Sequence, residues 1–350
     1  MELSTLLAQM IERNASDLHL AVGVPPIFRQ NGFLTPAPLP NLSAENLECL
    51  LKTGFSEEKL VKAQSGADFS ATLHHETHTF HCRVFRGRGT LSAAIRLVPE
   101  RIYSLEEMQL PPVFEKLTHC RRGLILVAGP TGSGKTTTLV SMLEQINMTR
   151  SERILTLESP LNYVLGSKLS LISQRVVGED VDSYESGMRS AMLSDPDVLF
   201  VDSVRTSETA RLVLEAAEAG HLVFAQMTAN TVAEAIHQLL GLFGKPRDAA
   251  RRLLAQVVQA VIAQRLLMRD DAKGRVAANE ILLATPRIRQ MIRDGQTKPK
   301  LLELAMEANL SLRMQTMDDA LLKLYQGGSI SRETALSHLK DKARLTGPGF

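Results

Sequence analysis

Tryptophan is absent from the 350 residues, and aromatic side chains of all kinds make up only 4%. Few flat rings are left for bases to stack on, so a single-strand nucleic-acid binder is poorly supplied. An excess of one charge sign is lacking too: 40 basic residues against 38 acidic ones leave a formal net charge of +2. Nothing in that balance calls for nucleic acid or an anionic membrane as partner. Cys49, Cys82 and Cys120 are too few and too scattered for a disulfide framework, and an odd count leaves one over. A reducing cytosol is the expected surrounding. No stretch reaches the roughly 18 apolar residues that a membrane span needs, so any membrane role is expected to come through a partner. The opening segment MELSTLLAQMIERN has Glu2 where a signal peptide carries basic residues. Its Leu3, Leu6, Leu7, Met10 and Ile11 fall instead on one helical face.

What is present is an ordinary globular composition, 44% hydrophobic and 22% charged, long enough for two cores. Residues 1–98 read as a small α+β domain: a first helix, a short strand at Leu18–Leu20, then turns at Gly23, Pro25, Pro26, Asn31 and Gly32. Alternating segments at Ala71–Leu73, His78–Phe85 and Thr90–Leu97 predict antiparallel strands, with a hairpin turn at Arg86–Gly89. Residues 99–112 read as a linker in which Ser104-Leu-Glu-Glu107 matches a helix capping box. Residues 113–350 change character. Buried-type strands at Leu124–Ala128, Ile154–Leu157, Val198–Val201 and Leu222–Gln226 alternate with helical stretches, which predicts an α/β unit with a mostly parallel sheet. The last third is expected to be largely helical, for example Ala249–Leu267 and Met317–Tyr325, with a loose tail at Thr346–Phe350.

The strongest chemical signal follows the strand Leu124–Ala128. Gly129-Pro-Thr-Gly-Ser-Gly-Lys-Thr136 is the G-x-x-x-x-G-K-[ST] pattern, with a strand before it and a helix after it. The helix carries Leu139, Met142, Leu143 and Ile146 on one face. Glycines let successive backbone N–H groups turn inward around phosphate oxygens. The helix N-terminus adds partial positive charge. Gly129, Pro130, Thr131, Gly132, Ser133, Gly134, Lys135, Thr136 and Thr137 are therefore the expected ATP contacts. Lys135 is expected on the β- and γ-phosphates and the Thr136 hydroxyl on Mg²⁺.

Around this loop the chain resembles the retraction ATPases of bacterial type IV pili, relatives of the type II secretion ATPases. The resemblance runs through Ala15-Ser-Asp-Leu-His-Leu20, Gly123 to Thr138, Ile154-Leu-Thr-Leu-Glu158, Asp195-Pro-Asp-Val198, Ala217 to Phe224 and Ile288-Arg-Gln-Met-Ile-Arg293. It implies an N-terminal PAS-like domain joined to a C-terminal RecA-like ATPase domain. It implies a homo-hexamer working at the cytoplasmic face of the inner membrane on a pilus platform protein, beside a paralogous motor ATPase in some systems, with no nucleic-acid partner. It also implies arginines of the N-terminal domain directed at the phosphates, for which Arg83 and Arg96 stand in the right region, with Arg88 nearby. A guanidinium there stabilises charge spreading over the γ-phosphate.

Three departures from the family pattern touch the chemistry. The family's strand-end motif reads Gly-Glu, an apolar residue, then Arg-Asp; here Asp202-Ser203-Val204-Arg205-Thr206 follows Val201. The glutamate position is Ser203, while Asp202 stands where many other P-loop proteins carry an aspartate. Asp202 is thus the expected Mg²⁺-directed carboxylate besides Thr136, and Arg205 keeps the motif's arginine. The family's Gly-Thr-Leu-His-Thr becomes Ala225-Gln226-Met227-Thr228-Ala229, leaving Gln226 or Thr228 to sense the γ-phosphate. The acidic segment keeps Glu158 but has Ser159 and Asn162 where acids are usual. Glu158, Asp202 and Arg205 are the expected catalytic residues, with Glu158 orienting or deprotonating the attacking water. A carboxylate lost without replacement at about 4 kcal/mol would be roughly a thousandfold in rate, so the pattern also suits a slow or non-hydrolysing accessory subunit. His74, His75, His78 and His81 cluster densely, and a hairpin tip accounts for them better than a metal site.

Overall fold

The computed structural model describes residues 2–30, 32–245, 247–271 and 274–346. Asn31 and residues 347–350, marked by the sequence as turn and loose tail, lie outside them. The chain divides into two compact units: Met1–Arg101 with Pro160–Val164, and Ile102–Ser159 with Leu165–Phe350.

The first unit opens with helix α1 (Leu3–Glu12), whose Leu3, Leu6, Leu7 and Met10 are buried as the spacing predicts. Strands β1 (Asp17–Ala21), β2 (Ile27–Gln30) and β3 (Phe33–Pro36) follow, then α2 (Ala44–Lys52) and α3 (Glu57–Gln64). Strands β4 (Phe69–His75), β5 (His78–Gly87) and β6 (Thr90–Leu97) complete a six-stranded antiparallel sheet in the order β3-β2-β1-β6-β5-β4. Side chains alternate across a strand. Phe80, Cys82 and Val84 of β5 and Ala93 and Ile95 of β6 therefore enter one core with the buried face of α1. The opposite face carries Asp17, Arg83 and Arg96. The β5–β6 hairpin forms where expected. Arg88 and Gly89 both have positive φ, 51° and 82°, as a two-residue turn of the primed type requires. The turn residues between 23 and 32 mask β2, and the sequence gives no reading of β3, α2 or α3.

In the second unit the Ser104–Glu107 box closes reciprocally. The Ser104 N–H donates to Glu107 Oε2 (2.8 Å) and the Glu107 N–H to Ser104 Oγ (3.1 Å). No helix propagates from it. Gln109 takes φ 53° and Pro111 and Pro112 follow, which stops helix extension after one turn. Thereafter come α4 (Val113–Thr118), β7 (Gly123–Ala128), α5 (Lys135–Thr149), β8 (Arg153–Glu158), β9 (Leu171–Val176), α6 (Tyr184–Met192) and β10 (Val198–Val201). Then α7 (Ser207–Glu218), β11 (Leu222–Met227), α8 (Val232–Gly241), α9 (Arg247–Val257), β12 (Val258–Met268) and β13 (Arg275–Leu283) follow. Helices α10 (Pro286–Arg293), α11 (Pro299–Glu307) and α12 (Met317–Gln326) lead the C-terminal part. The seven strands order as β13-β12-β7-β11-β10-β8-β9, parallel throughout except for β13. Every residue of β7 and β10 is buried, as in a sheet covered on both faces.

One expectation fails. Ala249–Leu267 is not a continuous helix: α9 ends at Val257 and Val258–Met268 is strand β12. Val258, Val261 and Ile262 are β-branched and apolar, and a short apolar run fits a buried strand as well as a buried helix. Pairing with β7 on one side and β13 on the other decides it.

Candidate functional site

The phosphate loop lies between the carboxyl end of β7 and the amino end of α5. Gly132 and Gly134 have φ of 79° and 82°, and Gly134 is the N-cap of α5. At Gly129 a side chain is excluded for another reason: a Cβ there would stand 2.5 Å from the Gln264 carbonyl oxygen. Ser133 is buried, and its hydroxyl has no hydrogen-bond partner among the described residues. Lys135 folds back on the loop and donates from Nζ to the carbonyls of Gly129 (2.8 Å) and Pro130 (2.9 Å). Burial pushes its ammonium below the usual lysine range. A cation resting on neutral carbonyls and an unpaired buried hydroxyl together suit an anion in the loop.

Two glutamines from neighbouring strands fasten this loop. Gln264 of β12, 1% exposed, donates from Nε2 to the Ser133 carbonyl (2.7 Å) and accepts the Thr138 hydroxyl on Oε1 (2.9 Å). It thereby ties the last turn of the loop to the first turn of α5. Gln226 of β11 accepts the Thr136 hydroxyl on Oε1 (3.3 Å), and its backbone carbonyl accepts the Val204 N–H (3.1 Å). The expected metal-binding hydroxyl is thus linked through one residue to the segment after β10. Thr228, the other sensor candidate, is exposed beyond the end of β11.

Strands β8 and β10 pair in parallel with Leu157 opposite Val201, so Glu158 and Asp202 leave adjacent strands at one level. Glu158 is 0% exposed and accepts the Thr156 hydroxyl (2.7 Å) and the Gln174 side-chain N–H (3.0 Å) on Oε1. Asp202 is 7% exposed; its Oδ2 accepts the Ser159 N–H (2.8 Å) and its Oδ1 accepts the Tyr184 hydroxyl. Burial pushes the Asp202 carboxyl up to about 6, against the pull of Tyr184, the Ser159 N–H and Arg205. Burial and the adjoining Asp202 charge push the Tyr184 hydroxyl upward in turn. Beside this pair lies a cavity of about 340 Å³ whose lining includes Ser159, Tyr184, Ser203, Arg205 and Thr206. The Thr206 hydroxyl caps α7 through Thr209 N–H (3.0 Å). Thr206 and Thr209 hydroxyls on Glu185 hold that carboxyl down at about 2.

The structure therefore brings Thr136 and Gln226 together, sets Glu158 and Asp202 at the ends of adjacent strands, and places Arg205 with Ser203 at one cavity. Arg83 and Arg96 lie in the other unit. Arg96 Nε meets Asp17 Oδ1 at 2.8 Å and Arg83 Nη2 meets Asp68 Oδ2 at 3.3 Å. Although Asp17 is buried, the Ser16 hydroxyl and Arg96 hold its carboxyl below the usual range. Of the histidines, His75 stands opposite His78 at the tip of the β4–β5 hairpin, and His78 Nε2 is 3.5 Å from Glu100. Among the described residues no three metal-ligating side chains gather anywhere. Sequence reasoning missed Gln264 and Tyr184. Gln264 is 131 residues from its Ser133 partner, and neither residue sits in a motif of fixed spacing.

The sequence family described as type II/IV secretion system protein matches residues 3–271. The type IV pilus retraction ATPase PilT of Pseudomonas aeruginosa is 36% identical over 348 residues, 99% of either chain. The type IV pilus ATPase PilU of the same organism is 33% identical over 340 residues, 97% of this chain and 88% of its own. A crystal structure of the pilus retraction motor PilT with bound ADP superposes with a TM-score of 0.89 at 36% identity, covering 99% of both chains.

Proposed function

The chain belongs to the type II/IV secretion system protein family and is PilT-like within it, and we propose that it is an ATPase coupling ATP binding and hydrolysis to type IV pilus retraction. The observation that carries this reading is the Gly129–Thr136 loop, with two left-handed glycines, an unpaired buried Ser133 hydroxyl and a lysine resting on carbonyls. Lys135 leaves those carbonyls for the β- and γ-phosphates when nucleotide enters. Lys135→Ala is expected to abolish binding of a labelled ATP analogue; undiminished binding would refute the assignment.

The oxygen donors at the carboxyl ends of β7, β10 and β8 suit Mg²⁺, since the Thr136 hydroxyl and the buried Glu158 and Asp202 carboxylates are all hard. Held there, Mg²⁺ would supply positive charge against the charge that develops on the phosphates. Thr136 and Asp202 are the residues proposed to hold it, Asp202 through the water shell that this ion usually keeps. Glu158 is proposed to orient or deprotonate the attacking water, and Arg205 to stabilise charge at the far side of the site. Gln226 is positioned to report the state of the Thr136 hydroxyl to residues 202–206. Arg83 and Arg96 are proposed to act on the phosphates, exchanging their Asp68 and Asp17 partners for them.

The working assembly is proposed to be a homo-hexamer of two-domain subunits (1–98 and 113–350, joined by 99–112) docked on the pilus platform protein at the cytoplasmic face of the inner membrane. Among the described residues no helix is long and apolar enough to cross a membrane, which suits attachment through a partner. A second reading, an ATP-binding accessory subunit of a paralogous motor, is favoured by one observation: Ser203 lines the cavity next to Asp202 and brings no negative charge. Phosphate release by the purified hexamer decides between them, and no turnover with normal nucleotide binding favours the accessory.

A further inference from the structure

We propose that Tyr184 is a positioning residue for nucleotide-bound metal: its hydroxyl fixes the plane in which the Asp202 carboxylate meets the metal's water shell. The inference rests on the nucleotide-binding reading above and adds to it a residue that lies in none of its motifs.

Asp202 directly follows β10, and an aspartate there has several rotamers open to it unless something selects one. Here two donors hold it from opposite sides. The Ser159 N–H, from the residue after β8, takes Oδ2 at 2.8 Å, and the Tyr184 hydroxyl takes Oδ1. A carboxylate offers about four acceptor positions. These two bonds fix its orientation and leave acceptor positions for a metal-bound water.

The donor itself is anchored. Tyr184 is the first residue of α6, whose N-cap Ser183 and Ser186 form a reciprocal capping box, with both backbone-to-hydroxyl distances at 3.1 Å. That helix is seated tightly on the strand carrying Glu158. A Cβ at Gly187 would lie 2.7 Å from Leu157 Cδ2, so a larger residue there would make the leucine give way. Met188 and Ala191 complete the contact within the core. The phenol is therefore a rigid arm between a fixed helix end and the strand-end carboxylate. With Ser203 neutral at the next position, the orientation of Asp202 matters more than it would beside a second carboxylate.

The test uses the full chain and a non-hydrolysable ATP analogue, with affinity measured in excess Mg²⁺ and in EDTA, so it reads out without turnover. In the parent, Mg²⁺ strengthens binding. Tyr184→Phe keeps the ring and removes the donor; it is expected to cut the Mg²⁺-dependent gain by roughly tenfold, the scale of one hydrogen bond to a charged group, with the EDTA affinity unchanged. Asp202→Asn is expected to lose at least as much, and Tyr184→Phe added to it to lose nothing further. Tyr184→Met, of similar bulk, repeats the measurement if the phenylalanine variant folds poorly. Independent losses that multiply in the double variant, an intact Mg²⁺ gain in Tyr184→Phe, or a larger one, would each overturn the proposal. A parent that binds no analogue in either buffer, matching Lys135→Ala, would sink the nucleotide reading and this inference with it.

Discussion

Replacing Glu280 by glutamine is expected to stabilise the protein at pH 8 and leave it unchanged near pH 4.5. Glu280 sits on β13, 6% exposed, and accepts the Val232 N–H at the start of α8 (3.0 Å). Burial pushes its carboxyl from 4.5 up to about 7; the Val232 N–H opposes that, Glu303 adds to it, and Arg265 and Lys340 oppose it. A folded-state value above the unfolded one means that the folded chain holds the extra proton between the two. Its stabilising contribution is therefore complete below 4.5 and is lost as pH rises through about 7. At 1.36 kcal/mol per pKa unit, the gap from 4.5 to about 7 corresponds to about 3 kcal/mol. Glu280→Gln keeps an oxygen for Val232 and never charges, so it escapes that loss. For a domain of this size about 3 kcal/mol is roughly 6–12 °C in melting temperature. Thermal melts of both proteins from pH 4.5 to 8 read the difference curve, in which the histidines common to both cancel. Parallel curves across the whole range would show that Glu280 is already ionised at little cost, and would refute the reasoning.

Two further substitutions probe the site. Gln264→Met removes both bonds that tie the Ser133 carbonyl to the Thr138 hydroxyl, and is expected to weaken binding of an ATP analogue roughly tenfold; titration showing unchanged affinity would mean the loop keeps its shape without the clamp. Ser203→Glu restores a carboxylate at the strand end and is expected to raise phosphate release at least about tenfold, within the roughly thousandfold that about 4 kcal/mol represents. An unchanged rate would mean that Asp202 already supplies what the site needs.

The phosphate loop was legible because everything that defines it is local. A buried strand, glycines at the left-handed positions and an amphipathic helix follow each other within about two dozen residues. β10 was read to the residue for the same reason, four apolar residues ended by an aspartate. Where the signal depended on distant partners, reading failed or stayed silent. Val258–Met268 carries an apolar run that a helix would also accommodate, and only the flanking strands β7 and β13 select the extended form. The Ser104–Glu107 box was a true local signal, yet Gln109 and two prolines kept it from nucleating a helix. Gln264 could not be distinguished from any other strand glutamine, since its role comes from the 131 residues of chain that fold between it and Ser133. Tyr184 lies only 18 residues from Asp202, but nothing in that spacing says that α6 will pack its amino end on the end of β10.

The topology explains why the departures at Asp202 and Ser203 converge on one place. In sequence the strands run β7, β8, β10, β11; in the sheet they lie β7-β11-β10-β8. The carboxyl ends of four parallel strands therefore present, side by side, the phosphate loop, Gln226, Asp202 and Glu158. Ligands of open α/β sheets bind at this edge. A carboxylate displaced by one residue at the end of β10 stays on that edge, but strand alternation changes the face it leaves from. The side chain then needs a new support, and Ser159, directly after β8, and Tyr184 from α6 provide one. Moving the charge from the 203 position to the 202 position is thus a change of scaffold as much as of residue. Its consequence for turnover depends on how firmly that scaffold holds Asp202 when nucleotide arrives.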